Sequence, residues 1–155
     1  MDNKKVYVDM DGTIADFNGY MLSKDKNALA EKDMIYKIMV DYADECFRDF
    51  KQLPHTEFYM SMLKNNHNWH ILSALPKKSN LAKFTDNPDE VYNKLYDNKV
   101  HWCVSHGIPK NKVHIVEFAI NKQDYCKPGD TLIDDNILNI RQWESKGGKG
   151  EFVKR

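Results

Sequence analysis

The run Val6-Tyr7-Val8-Asp9-Met10-Asp11-Gly12-Thr13 decides how this chain is read. Val6, Tyr7 and Val8 favour a buried strand. Two carboxylates one residue apart follow at once, ahead of a glycine that lets the backbone turn sharply. Carboxylates are costly at the end of a buried strand unless they hold a cation or take part in a reaction. Ligands of α/β sheets bind just beyond the carboxyl ends of strands, which is where Asp9 and Asp11 fall. Asp-x-Asp-Gly is also an ordinary polar turn, so the rest of the chain has to decide.

Working outward, the same feature recurs near the other end. Thr131-Leu132-Ile133 reads as a short buried strand that runs into Asp134-Asp135-Asn136. Adjacent like charges repel, so a nearby cation would relieve them; a helix N-cap is the plainer reading of the same residues. Between these two stretches, Trp69-His70-Ile71-Leu72 reads as a strand delivering Ser73-Ala74-Leu75-Pro76. A hydroxyl at a strand tip followed by free backbone N–H groups suits a phosphate, although a lone serine there is more often a turn residue. Val113-His114-Ile115-Val116 is a further strand, and Phe152-Val153 fits a last edge strand.

Helical periodicity fills the gaps. Residues 19–53 read as helical, with Met34, Ile35, Ile38, Met39, Tyr42, Cys46, Phe47 and Phe50 on one face. A helix is predicted over residues 56–63, and a polar loop over 77–87. A second helix over 89–106, stopped by Gly107-Ile108-Pro109, supplies the crossover that parallel strands require. A last one is predicted over 137–143, ended by Gly147-Gly148.

The bulk composition narrows the function classes. A chain of 155 residues has the size of one domain with room for an insert. Lys plus Arg and Asp plus Glu both number 23, so no global field draws in a polyanion, and stable nucleic-acid binding is not expected. No apolar run reaches the roughly 18 residues of a membrane span. The start, Met1-Asp2-Asn3-Lys4-Lys5, leads straight into the first strand with no room for a signal peptide, so a cytoplasmic location is expected. Cys46, Cys103 and Cys126 have no metal-type spacing and read as reduced thiols. There is no nucleotide-binding Gly-x-x-x-x-Gly-Lys-Ser/Thr loop.

Asp9-Met10-Asp11-Gly12-Thr13 resembles the first motif of the haloacid dehalogenase-like phosphohydrolase superfamily. With Ile14-Ala15-Asp16-Phe17 it looks more specifically like the 5'(3')-deoxyribonucleotidase branch, including short bacterial and phage members. Ser73 resembles the second motif, Lys122 (with Lys127 as rival) the third, and Leu132-Ile133-Asp134-Asp135 the fourth. The resemblance implies a Rossmann-like parallel sheet with helices on both faces, and a small helical cap inserted at about residues 19–53. It implies a magnesium-dependent hydrolase of phosphomonoesters, most specifically of nucleoside monophosphates. In it Asp9 is the nucleophile and Asp11 the acid and base. Ser73, Ala74 and Lys122 hold the phosphate, and Asp9, Asp11, Asp135 and Asp134 surround the metal, with Asp135 favoured as the direct ligand. Phe17 and Tyr20 are placed to meet a base.

Thr13 stands where many of these nucleotidases have valine and Asn136 where many have arginine, while Trp69, Trp102 and Trp143 all lie outside the insert. A phosphatase for a sugar phosphate or a nucleic-acid 3'-phosphate therefore stays open. So does a phosphate- or partner-binding domain without turnover, and the chain could act as a monomer or a homodimer.

Overall fold

Alternation places Tyr7 on one face of the first strand and Val6 and Val8 on the other, and both faces are covered. A strand buried on two sides belongs at the middle of a parallel sheet. In the computed structural model, which describes residues 3–154, that is its position. Met1, Asp2 and Arg155 fall outside the described residues. The strands are β1 (Val6–Val8), β2 (Trp69–Ala74), β3 (Val113–Val116), β4 (Thr131–Asp134) and β5 (Lys149–Phe152). They pair in the order β3-β2-β1-β4-β5, all parallel, with Val8 in register with Ile71 on one side and Ile133 on the other. That register aligns the ends of β1 and β4, so Asp9 and Asp134 emerge on one rim beside the last residues of β2.

One face carries Val8, Ile71 and Ile133, packed under α3 (Glu57–Asn65) and α5 (Pro88–Ser105) through Met60, Leu63, Leu95 and Trp102. Tyr7, Leu72 and Leu132 line the other face, covered by α6 (Ile137–Ser145) through Ile140 and Trp143 and by the 3-10 helix Ala119–Tyr125. The expected α/β sandwich with helices on both faces is the fold found.

The helical pattern after β1 resolves into α1 (Phe17–Lys24), α2 (Lys32–Asp41) and a run of turns to Asp49. Asp16 caps α1, accepting from the Gly19 N–H at 2.9 Å. The break follows from Asp25, whose side chain accepts from the Asn27 N–H at 2.8 Å and so competes with the helix. The segment hangs on two adjacent stalks: the Asp16 N–H donates to the Lys51 carbonyl and the Leu53 N–H to the Ile14 carbonyl, both at 2.8 Å. Residues 77–87, expected as loop, contain the single turn α4 (Lys78–Leu81). No helix among the described residues is long and apolar enough to cross a membrane.

On the face away from α5, His70 and His114 share a hydrogen bond of 3.0 Å between ring nitrogens. Burial, the neighbouring His114 and Lys5 push the His70 imidazole down to about 4. The unfolded ring takes a proton near its ordinary value of about 6.5. The unfolded state therefore binds more protons between those values, and stability falls as pH falls through that window. His70→Phe should lose less melting temperature than wild type between about pH 7 and about pH 5. Equal losses would show that His70 contributes nothing to acid sensitivity.

Candidate active site

At the rim, Asp9 follows β1 and Asp134 ends β4, with Asp135 next to it. One carboxylate oxygen from each lies within 4.8 Å of the others. Asp135 packs so closely on the turn after β1 that a Cβ at Gly12 would sit 2.0 Å from its Oδ2. With φ of +78° as well, any other residue there would be strained and would push the Asp135 carboxylate aside. This explains the glycine after the two acids in terms of the site rather than the turn alone.

Lys122 reaches into the same cluster from the 3-10 helix and is 3% exposed. Its ammonium donates to Asp9 Oδ1 at 2.7 Å and to Asp134 Oδ2 at 2.9 Å. Burial works against its charge, but Asp9 and Asp134 outweigh it and hold its pKa above the ordinary lysine value. Lys127 lies exposed in the turn that precedes β4.

The two acids of the fourth stretch differ. Asp134 is fully buried and its oxygens are occupied, by Lys122 and Asn139 Nδ2 (3.0 Å) on Oδ2 and by the Asn136 N–H (2.9 Å) on Oδ1. Asp135 is half-buried and faces the cavity. Burial raises Asp135 to about 6; a hydrogen bond with Asp9 draws it down while the charge of Asp134 pushes it up. Asp9 is held well above the carboxylate range, by burial first and then by Asp134, against the opposing pull of Lys122. Three converging carboxylates with one lysine are short of positive charge, and a hard divalent cation fits that donor set.

Asp11 points the other way. Its Oδ2 accepts from Lys99 at 2.8 Å, while its Oδ1 is buried without a hydrogen-bond partner among the described residues. Ser73 does not stand free at a strand tip: it lies inside β2, fully buried, and its Oγ accepts from Lys99 at 2.7 Å. The hydroxyl keeps its own proton to donate. The Leu75 N–H, expected to be free, bonds to the Val116 carbonyl at 3.1 Å because the β2–β3 ladder extends that far. Ala74 lines the cavity, and its carbonyl accepts from Lys99 at 2.7 Å.

The cavity itself is about 220 Å³, and its wall includes Asp9, Asp11, Phe17, Asn18, Lys122 and Asp135. That is below the roughly 300 Å³ at which pockets enclose whole small molecules, so it takes a small group and leaves the remainder of a ligand outside. Tyr20 is not on this wall. Its hydroxyl donates to Glu45 at 2.8 Å, its ring packs on Phe50, and it lines a separate cavity with Asp16 and Asp49. The thiols play no part here: burial lifts Cys103 to about 12 and Cys46 higher still, far from a thiolate.

Lys99 is the site residue that the sequence reading passes over. It occupies an inward position of α5 between Leu95 and Trp102, in a stripe otherwise apolar apart from Asn98. A lysine at core spacing was the available signal, since lysine is almost never fully buried unless paired.

No family model matches this chain, and no curated protein does. Among solved structures, a D,D-heptose 1,7-bisphosphate phosphatase from Burkholderia thailandensis superposes with a TM-score of 0.51 at 14% identity. The match covers 94% of this chain and 74% of that one. At that identity the likeness concerns the fold: a parallel α/β sheet flanked by helices, shared over nearly the whole length.

Proposed function

We propose that this chain is a magnesium-dependent phosphomonoester hydrolase working through an aspartyl-phosphate, with nucleoside monophosphates as its substrates. The observation that carries the reading is the pair of carboxylates separated by one residue and held by two different buried lysines: Asp9 by Lys122 and Asp11 by Lys99. One acid faces the cluster of negative charge, and the other stands outside it with its own Oδ1 unbonded among the described residues. That division of labour suits a nucleophile and a proton carrier.

A carboxylate oxygen of Asp9 attacks phosphorus in line with the ester oxygen. The P–O bond to the alcohol breaks, and the departing alkoxide takes a proton from Asp11. Water then attacks phosphorus, gives its proton to Asp11, and the bond to Asp9 breaks, releasing phosphate and restoring both acids. Lys122 neutralises charge on the phosphoryl oxygens while Asp134 keeps the lysine in place. Asp9, Asp135 and the Asp11 carbonyl would hold the magnesium ion, which when bound supplies charge screening for the dianion and template geometry. Asp134, with its oxygens already taken, is better suited to orient than to ligate.

Phe17 on the cavity wall supports an aromatic substrate body such as a nucleobase. The sugar bisphosphate in the name of the structural neighbour favours a second reading, a sugar phosphate. Phosphate release measured across deoxy- and ribonucleoside 5'- and 3'-monophosphates and sugar phosphates separates them. Turnover of deoxynucleotides that stops with EDTA is expected. Turnover of sugar phosphates alone would retain the mechanism and discard the nucleotidase assignment. A folded, magnesium-loaded protein that hydrolyses nothing would overturn both and favour a binding domain.

A further inference from the structure

Lys99 is fully buried and its ammonium has three protons, each with an acceptor: Asp11 Oδ2 at 2.8 Å, Ser73 Oγ at 2.7 Å and the Ala74 carbonyl at 2.7 Å. Two of these acceptors belong to the end of β2 and the third to the turn after β1. The lysine therefore ties the two strand ends together through one cation. Behind it, the ring of Phe47 lies 4.4 Å from the ammonium nitrogen and closes it off.

Phe47 adopts φ of +70°, a left-handed conformation that a bulky residue rarely takes. Such backbone persists only where the surroundings over-determine it, and here they do. Next along α5, Asn98 donates from Nδ2 to the carbonyls of Ala43 (2.7 Å) and Cys46 (3.0 Å). Trp102 Nε1 donates to the Phe50 carbonyl at 2.8 Å. Two residues of one helix, Asn98 and Trp102, thus fasten the last part of the inserted segment, and the fastened segment presses Phe47 onto Lys99.

We propose that Lys99 is the positioning residue for Asp11, braced from behind by the insert through Phe47; the inference rests on the phosphomonoesterase reading. An untethered Asp11 carboxylate, two residues from Asp9, would swing toward any cation in the acid cluster and leave the path of the departing group. Lys99 holds one oxygen on the far side and leaves Oδ1 as a buried acceptor with nothing among the described residues donating to it. A buried acceptor in that state gains from the first donor that arrives, and the proton of the water attacking phosphorus is such a donor. The geometry also gives the end of the insert a fixed role, as the wall behind the proton carrier.

The test is a double-mutant cycle in the full chain: Lys99→Met, Asp11→Asn and the two combined, read as kcat and KM on the best substrate of the panel. Asp11→Asn should lower kcat by about 10³-fold and Lys99→Met by about 10²-fold, with KM changed less than about threefold. The combined variant should match Asp11→Asn within about threefold, because a lysine that acts through Asp11 has nothing left to position. Acid-quenched phosphoprotein should accumulate in both single variants. If Lys99→Met alone fails to fold, the combined variant still decides, since it leaves no uncompensated buried charge. A combined loss equal to the product of the single losses, or one that appears mainly in KM, would overturn the positioning role and leave the hydrolase standing. A wild-type chain that turns over nothing overturns the hydrolase reading and the role of Lys99 with it.

Discussion

Asp9→Asn should abolish turnover, by at least about 10⁴-fold in kcat, while leaving the chain folded and no less heat-stable than wild type. The amide has the shape of the carboxylate but lacks its nucleophilic oxygen. Its effect on stability follows from the charge count at the rim. Asp9 is 6% exposed, and burial followed by the charge of Asp134 already holds its carboxyl well above the ordinary range. Near neutral pH the folded state therefore bears a cost for keeping that group ionised, and the substitution removes it. Lys122 loses one acceptor but keeps Asp134 at 2.9 Å, so no cation is stranded. Site residues that lower stability are common where function demands like charges close together. The measurement is kcat beside a thermal melt without divalent metal. Activity within about tenfold of wild type would remove Asp9 from the role of nucleophile. A large fall in melting temperature would mean that the carboxylate is structural.

The strands and their acids were legible because each signal is local. An apolar run that meets paired carboxylates at Asp9-Asp11 and again at Asp134-Asp135 is a conflict within a few residues, and the structure resolves both at one rim. The crossover helix was equally readable, from Val91, Leu95 and Trp102 at helical spacing between Pro88 and Gly107. What escaped depends on partners distant in the chain. Lys99 meets Asp11 across 88 positions and Ser73 across 26, and nothing within α5 announces either. The burial of Ser73 depends on how far the β2–β3 ladder runs, which is set by Val116 and not by the serine's neighbours. Tyr20 is a candidate pocket residue from its nearness in sequence to the first acidic stretch, but Glu45 and Phe50 claim it. The apolar spacing of the inserted segment is regular enough to predict one helical run, and the competing side chain of Asp25 interrupts it.

A large stability effect is expected at Lys122, outside the apolar core. Lys122→Met should destabilise the chain by about 3–5 kcal/mol near pH 8, the cost of leaving buried carboxylates without their cation. Methionine fills much the same volume, so packing alone predicts a loss below about 1.5 kcal/mol, and the two accounts are well separated. The sign of the pH dependence separates them again. With the lysine gone, Asp9 loses the one neighbour that favours its charge, so its folded pKa rises further above the unfolded one. The folded variant then binds more protons than its unfolded chain between those values, and its deficit against wild type shrinks as pH falls from about 8 to about 5.5. Magnesium should restore part of the loss by supplying the missing charge next to Asp9 and Asp135. Urea melts at two pH values, with and without magnesium, measure all three effects. A deficit that stays constant with pH would assign the loss to packing and remove the cation from the account of why this rim holds together.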